Sequence, residues 1–242
     1  MRRLGRSDIE VPSLIWRVSR DFDRHILKAA GGDWVFAPAR GFKSDLRDLN
    51  VLVGIEAEAL RPRGTSAIEK RLAELGLERC AGIVLQGASA DDVKSGWPLH
   101  RLAAVRERNL ARLIVIEAAG IADAQWLVES SPAHAVIVPY GVEDLTAGFS
   151  LLDTAMEVGT AILATRPTAA VWSPPPDALA YDVQMRTGDD RIAASIEPLP
   201  ASPPIPDLPL SAEAREELWK QFRAQVPPPP PLKGGHPPEY GA

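Results

Sequence analysis

Short apolar runs alternate with amphipathic segments along most of this chain. The runs consist mainly of aliphatic and β-branched residues, the pattern of strands that are buried on both faces. We predict strands over Trp34 to Ala37, Val51 to Glu56, Gly82 to Gln86, Leu113 to Glu117, Ala135 to Pro139, Ala161 to Ala164 and Ile192 to Ile196.

The segments between these runs have the spacing of amphipathic helices, and several end at glycine, a common helix-ending residue. We predict helices over Phe22 to Ala30, Thr65 to Leu75, Leu99 to Asn109, Ala122 to Glu129 and Leu145 to Val158. Repeated strand–helix alternation indicates parallel strands joined by crossover helices. No glycine-rich phosphate loop follows the first strand, which disfavours a Rossmann arrangement. The pattern therefore favours a closed α/β barrel of the (β/α)8 TIM type.

The 23 prolines concentrate after Trp172, at Pro174 to Pro176, Pro198 to Pro209 and Pro227 to Pro231. Proline lacks a backbone donor and fixes φ, so these stretches predict loops or extended chain. We predict a barrel over residues 1–200, shortened at its C-terminal helices, then a linker and C-terminal helix over 201–225. A proline- and glycine-rich tail follows over 226–242. This tail is either a disordered end or an extended strap on another subunit.

Composition and charge narrow the classes of function. Hydrophobic residues make up 45% and charged residues 24% of the chain, which is ordinary for a globular protein. The net charge of −5 argues against a nucleic-acid or anionic-membrane binder, since either needs a basic face. One cysteine excludes an intramolecular disulfide. No apolar run reaches the roughly 20 residues of a spanning helix, and no signal core follows the first residues. We expect a cytoplasmic protein.

Six segments, in chain order, resemble segments of the aldo-keto reductases. They are Arg2 to Pro12, Phe36 to Asp45, Arg71 to Glu78, Val136 to Tyr140, Leu163 to Pro167 and Pro209 to Glu213. The first is similar to the family's N-terminal hairpin, and the last to its Pro-Leu-Ser-x-Glu stretch before the terminal helix. The resemblance spans most of the chain and implies the barrel fold together with an ancestral carbonyl reduction.

The family's reaction uses a tyrosine that protonates the carbonyl oxygen, a lysine and an aspartate that tune this tyrosine, and a histidine that orients the substrate. The resemblance places the aspartate at Ala37, the tyrosine at Phe42 (or Gly41), the lysine at Glu56 and the histidine at Gln86. Loss of a general acid alone costs about 10²–10⁴ in rate. We therefore expect no reductase activity.

The resemblance also implies that the dinucleotide site is lost. The fifth-strand residues that hold the nicotinamide amide fall on Ile116 to Ala119, and the sixth-strand glutamine falls near Ile137. Bulky Ile15 to Arg17 replace small first-strand residues, and Glu197 to Pro200 stand where a phosphate-binding helix is normally found. We expect no cofactor.

Three acids near predicted strand ends, Glu56, Glu58 and Glu117, leave a different chemistry open. At the carboxyl ends of barrel strands, paired carboxylates can act as acid and base or hold a divalent metal. Alternatively they form ion pairs that fill an emptied pocket, and Glu58 faces outward if strand alternation extends to it. The available cations are Arg17, Arg40, Arg61 and Arg166.

Other reactive residue types favour packing over chemistry. The four histidines, His25, His100, His134 and His236, lack zinc-ligand spacing, so we expect no metal site. Cys80 has apolar neighbours and no adjacent base, which predicts a core residue. Six tryptophans are present, and Trp97 and Trp172 lie in loop-like, proline-flanked contexts, where an interface role is an alternative to ordinary packing.

Three hypotheses follow. The first is an inactive reductase-like barrel that serves as a structural or accessory subunit and binds a protein partner or a second copy of itself. The second is a barrel enzyme of another class, a lyase or isomerase, that uses Glu56 and Glu117. The third is a sensor that binds NADPH without turnover.

Overall fold

Eight parallel strands form a closed barrel, which confirms the predicted fold class. The computed structural model describes residues 1–140, 145–166, 183, 186–199 and 220. A two-stranded hairpin, β1 (Arg2–Arg3) and β2 (Glu10–Val11), precedes the barrel. The barrel strands are β3 (Leu14–Arg17), β4 (Trp34–Ala37), β5 (Asn50–Glu56), β6 (Cys80–Gln86), β7 (Ala111–Glu117), β8 (Ala135–Pro139), β9 (Ala161–Thr165) and β10 (Ile192–Pro198). They pair in chain order, and β10 closes the ring on β3.

Helices cross over between the strands, as the alternation predicts. They are α1 (Arg24–Ala29), α2 (Ala57–Arg63), α3 (Thr65–Glu74), α4 (Ala90–Lys94), α5 (Trp97–Glu107), α6 (Ile121–Ser130) and α7 (Leu145–Val158). The short helices α2 and α4 were not predicted. Each lies directly after a barrel strand or its loop, on the side of the barrel where the strands end.

Side chains of each barrel strand alternate between two separate apolar clusters. On β5 and β7, Leu52, Leu113 and Val115 join the cluster inside the barrel. Their neighbours Val53 and Ile114 join the cluster between the barrel and its helices. Successive strand residues point to opposite faces, so both faces of every strand must be apolar. This double burial explains the continuous hydrophobic runs in the sequence.

The N-terminal hairpin closes the end of the barrel at which the strands begin. Leu4, Ile9 and Val11 belong to the interior cluster, where they pack under the first residues of the strands. Gly5, with φ of +56°, turns the chain so closely that a Cβ would lie 2.5 Å from the carbonyl oxygen of His134. Only glycine tolerates both this φ and this approach. The hairpin is therefore part of the core.

Several predicted elements lie outside the described residues. They include most of the proline-rich region after residue 166, Trp172, most of the predicted linker and C-terminal helix over 201–225 and the tail over 226–242. The proposed division into 1–200, 201–225 and 226–242 therefore stays a prediction. Within the described part of the chain, no helix is both long and apolar enough to cross a membrane.

The burial of the hairpin predicts that Leu4→Ala destabilises the protein by about 2–5 kcal/mol, because it leaves a cavity at the closed end of the barrel. Leu4 is 0% exposed, whereas Met156 on α7 is 63% exposed. Urea unfolding followed by circular dichroism measures the difference. As the control, Met156→Ala should change stability by no more than about 0.5 kcal/mol. Equal effects of the two substitutions would contradict the assignment of the N-terminal hairpin to the core.

Candidate functional site

The inward side of the barrel strands ends in polar residues at the carboxyl-terminal mouth. Every second residue of a strand points into the barrel. Counted from the interior cluster toward the carboxyl ends of the strands, the last inward polar residues are Arg17 on β3, Glu56 on β5, Gln86 on β6, Glu117 on β7 and Thr165 on β9. Barrel proteins place their functional sites at this end, because all strands point their carboxyl ends at the same rim. The mouth is therefore the candidate site.

A network of polar contacts connects the loop after β4 to the ends of β6 and β7. The backbone N–H of Ala39 donates to Gln86 Oε1 at 2.8 Å, and Gln86 Nε2 donates to Glu117 Oε2. Gly54 makes room for this amide, since a Cβ at that position would collide with Gln86 Oε1 and lie 2.5 Å from the Ala39 nitrogen. Gln86 thus has a positioning role, holding one oxygen of Glu117.

Glu56 is neutralised from outside the barrel. Arg40, in the loop after β4, places its Nε 3.2 Å from Glu56 Oε1. The arginine side chain is 75% exposed, so the pair is solvated on one side. Such a pair contributes little to stability, but it gives a cationic partner to the carboxylate of Glu56, the last residue of β5.

A cavity of about 240 Å³ opens beside Glu117. Its polar lining comes from Arg17, Glu117, Thr165 and Arg166, and the rest is backbone and small side chains of the loops after β6 and β7. The Arg17 guanidinium carbon lies 5.6 Å above the centre of the Phe36 ring, which fills the barrel beneath it. The cavity is thus shallow, with cations and one carboxylate on its walls.

Comparison with known structures identifies the architecture. An aldo-keto reductase from Bacillus halodurans, in its apo form, matches with a TM-score of 0.62 and 16% identity, over 90% of this chain and 94% of that one. The aldose reductase from Schistosoma japonicum matches with a TM-score of 0.56 and 11% identity, over 91% and 92% of the two chains. The chain has the aldo-keto reductase fold. At these identities the likeness shows the fold alone.

A third structure of this fold, a thermostable aldo-keto reductase in complex with the inhibitor epalrestat, gives the same result. Its TM-score is 0.60 at 15% identity, over 90% of this chain and 97% of that one. No family model matches the sequence, and no curated protein matches it either. Structure comparison therefore detects a likeness of fold that sequence comparison does not.

Within the aldo-keto reductase fold, the four positions that the resemblance singles out lie near the ends of β4, β5 and β6. Two of them face away from the mouth. Ala37 ends β4 but packs in the cluster between barrel and helices. Phe42 is also buried there, with its ring centre 5.8 Å from that of Phe22 in an edge-to-face contact. Glu56 and Gln86 face the mouth.

The bulky residues of β3 are divided between three environments. Ile15 lies in the barrel interior, and Trp16 packs on the helix side, against the position of Gly32. Only Arg17 of the three reaches the mouth cavity. Trp16 therefore points away from the mouth because side chains alternate along the strand, and the expectation that bulk on β3 excludes a cofactor stays a prediction.

The remaining predicted acid and cations are distributed differently from the sequence-based expectation. Glu58 lies on the exposed side of α2 and not at a strand end. Arg61 pairs with Asp92 at 2.6 Å, away from the mouth acids. Arg166 pairs with Glu197 at 3.7 Å, a partner that was not predicted.

A buried polar cluster on the outer face of β10 was missed by sequence reasoning. Arg186, 0% exposed, donates from Nη2 to Glu197 Oε1 at 2.6 Å and from Nε to Ser195 Oγ at 3.0 Å. Ser195 also donates to Glu197 Oε1 at 2.6 Å. The signal was present in the sequence, because Ser195 and Glu197 put polar groups on one face of a strand that is buried on both faces.

Other candidate groups do not join the mouth. Burial raises the pKa of the Cys80 thiol to about 12, so this thiol stays protonated and unreactive. The Trp97 ring is covered by the Arg61 guanidinium at 4.8 Å and is half-buried. No cluster of three or more potential metal ligands is found among the residues that the structure describes.

The cluster at β10 predicts that Glu197→Gln destabilises the protein by about 3–5 kcal/mol, because it leaves the buried Arg186 guanidinium beside a neutral amide. Chemical denaturation measures the change. The matched control is Glu56→Gln, which breaks the half-solvated pair with Arg40 and should cost at most about 1 kcal/mol. Loss of stability that is the same in both variants would show that burial does not decide the effect.

Proposed function

We propose that this chain is a member of the aldo-keto reductase family that no longer reduces carbonyls and that acts in the cytoplasm as a protein-binding accessory subunit. The loss of carbonyl reduction is supported by the identity and packing of two residues near the mouth. Phe42 is a buried phenyl ring and Glu56 is a carboxylate paired with Arg40. The family's reaction needs a phenol and an ammonium group at these positions.

A proton donor is the first missing component. Hydride transfer to a carbonyl leaves an alkoxide, which a nearby acid must protonate for the reaction to proceed at neutral pH. A phenyl ring has no exchangeable proton. The ring of Phe42 is also 3% exposed and packed against Phe22, so its position does not face a substrate in the mouth.

Charge is the second missing component. A cation beside a catalytic phenol stabilises the phenolate that forms when the proton is given away. A carboxylate at that place raises the energy of the phenolate instead. Glu56 therefore supports loss of the ancestral reaction even if a hydroxyl were supplied by another group. Arg40 reduces this charge, but an arginine guanidinium does not give up a proton in proteins.

We expect the purified protein to show no NADPH-dependent reduction of aldehydes and no enhancement of NADPH fluorescence. The measurements are absorbance at the nicotinamide band and a fluorescence titration, with an active aldo-keto reductase such as that of Bacillus halodurans as the positive control. NADPH-dependent turnover of an aldehyde by the purified protein would refute the proposal. Tight NADPH binding without turnover would replace the accessory subunit by the cofactor sensor.

The protein-binding half of the proposal is supported by an open groove of about 840 Å³ at the opposite end of the barrel. The groove is lined by Arg3, Arg6, Arg106, Arg112 and the half-buried His134. The guanidinium groups of Arg106 and Arg112 make no hydrogen bond or ion pair within the described part of the chain. They are exposed cations that are available to a partner.

The groove has a net positive charge on a negatively charged protein. Asp8 and Glu107 line it as well, so four arginines face two carboxylates, while the whole chain has a net charge of −5. Burial, followed by the nearby Arg106, lowers the pKa of His134, which keeps this imidazole neutral at neutral pH. An acidic segment of a partner protein fits this surface, because complementary charge speeds encounter and fixes orientation.

The double substitution Arg106→Glu and Arg112→Glu should weaken partner binding by about tenfold or more, because it reverses the charge of the groove. Native mass spectrometry of the tagged chain, purified from its own host, gives the stoichiometry of the complex. Arg63→Glu, an exposed arginine on α2 outside the groove, is the control and should leave the complex intact.

Two results would contradict this surface as the interface. One is a chain that purifies as a monomer without any stoichiometric partner. The other is a complex that survives the double substitution and the control equally well. A complex between identical chains that the double substitution disrupts would assign the groove to self-association.

A further inference from the structure

Arg17 and Glu117 stand on opposite walls of the barrel mouth. Their strands, β3 and β7, are separated by four steps in either direction around the eight-stranded ring. Both residues end the inward series of their strands, so both side chains extend toward the axis of the barrel. Both also line the same cavity of about 240 Å³. The cavity is therefore positive at Arg17 and negative at Glu117, and Arg166, the other cation of its lining, is paired with Glu197.

These two charges do not neutralise each other. They form no ion pair within 4.0 Å, and among the described residues the Arg17 guanidinium makes no hydrogen bond or ion pair at all. Its one favourable contact is the Phe36 ring beneath it, a cation–π interaction that leaves the N–H donors unused. Glu117 accepts from Gln86 through Oε2, and no described residue donates to its Oε1.

Both side chains are half-buried, where an unpaired charge is costly. A bound molecule that carries a cation and an anion would compensate both groups at once. Thr165 adds a hydroxyl to the lining of the cavity. This hydroxyl makes only a long contact of 3.5 Å to the Val138 carbonyl oxygen. The cavity thus offers a guanidinium, a carboxylate oxygen and a hydroxyl to a ligand.

We infer that the mouth cavity binds a small zwitterion, an α-amino acid, with its carboxylate on Arg17 and its ammonium group on Glu117. A planar guanidinium binds a carboxylate through two parallel hydrogen bonds. The ammonium group donates to Glu117 Oε1, while Gln86 holds Oε2 in place. The inference rests on the proposed loss of the dinucleotide, because a nicotinamide in this cleft would exclude the amino acid.

The size and charge of the cavity favour a small zwitterion over a dinucleotide and over a simple anion. Pockets for drug-sized ligands measure about 300–1,000 Å³, so a cavity of about 240 Å³ takes only a small molecule. A simple anion such as propionate would pair with Arg17 but would leave Glu117 without a cation, and a phosphate would be repelled by Glu117 more strongly still.

The test is a thermal-shift screen of the full chain against the common L-amino acids, followed by titration calorimetry on those that stabilise it. Propionate and propylamine supply the two charges separately. We expect at least one amino acid to bind, and each singly charged analogue to bind at least about tenfold more weakly. Binding of propionate as tightly as the amino acid would overturn the zwitterion assignment, and so would a screen in which no amino acid binds.

Variants separate the two contacts. Arg17→Met and Glu117→Gln should each weaken binding by about tenfold or more, because each removes one charge of the pair. Glu117→Gln is nearly isosteric, so it keeps the test valid if Arg17→Met does not fold. Arg40→Met, at the mouth but outside the cavity lining, is the matched control and should bind as the unmodified chain does. Unchanged binding in both test variants would overturn the proposed site.

The two proposals fail in different experiments. If NADPH binds and turns over, the loss of reductase function is refuted whatever the amino-acid screen shows. If neither NADPH nor any amino acid binds, the loss of reductase function stands, and the zwitterion site alone is wrong.

Discussion

The structure depends on one constraint, which is that each barrel strand must satisfy two apolar environments with alternate side chains. Leu52 and Val115 face the interior, while Val53 and Ile114 face the helices. A shift of one residue in any strand would exchange these sets. The same alternation decides which residue appears last on the inner side, and so it determines that Arg17 and Glu117 meet the mouth while Ala37 and Trp16 do not.

The regular part of the fold was predictable because these runs are long and unambiguous. The strand Ala135–Pro139 and the helix Leu145–Val158 agree with the sequence pattern at both ends. The helix Ala57–Arg63 was not predicted, since it begins without a side-chain cap and contains Pro62. The sequence pattern therefore predicts Glu58 near a strand end, whereas it lies in the first turn of this helix.

The candidate site was predictable at the level of residue type and not at the level of partners. The sequence offered Arg40 among the cations for the mouth acids, and the structure pairs it with Glu56. It did not indicate that Gln86 bridges Ala39 and Glu117, because this contact depends on three strand ends that are distant in sequence. The pairing of Arg186 with Glu197 was not predictable, because alternation along β10 places Ser195 and Glu197 on one face but does not identify the partner that meets them.

The pairing of β10 with β3 has a consequence for how the chain is made. These strands are the last and the first of the barrel, so closure joins Ile196 to Ile15 across nearly the whole domain. Contacts of such long sequence separation form late. During synthesis the ring cannot close until β10 has left the ribosome, and until then the edge of β3 and the apolar interior stay open to water. This protein is therefore expected to depend on chaperones more during translation than after release.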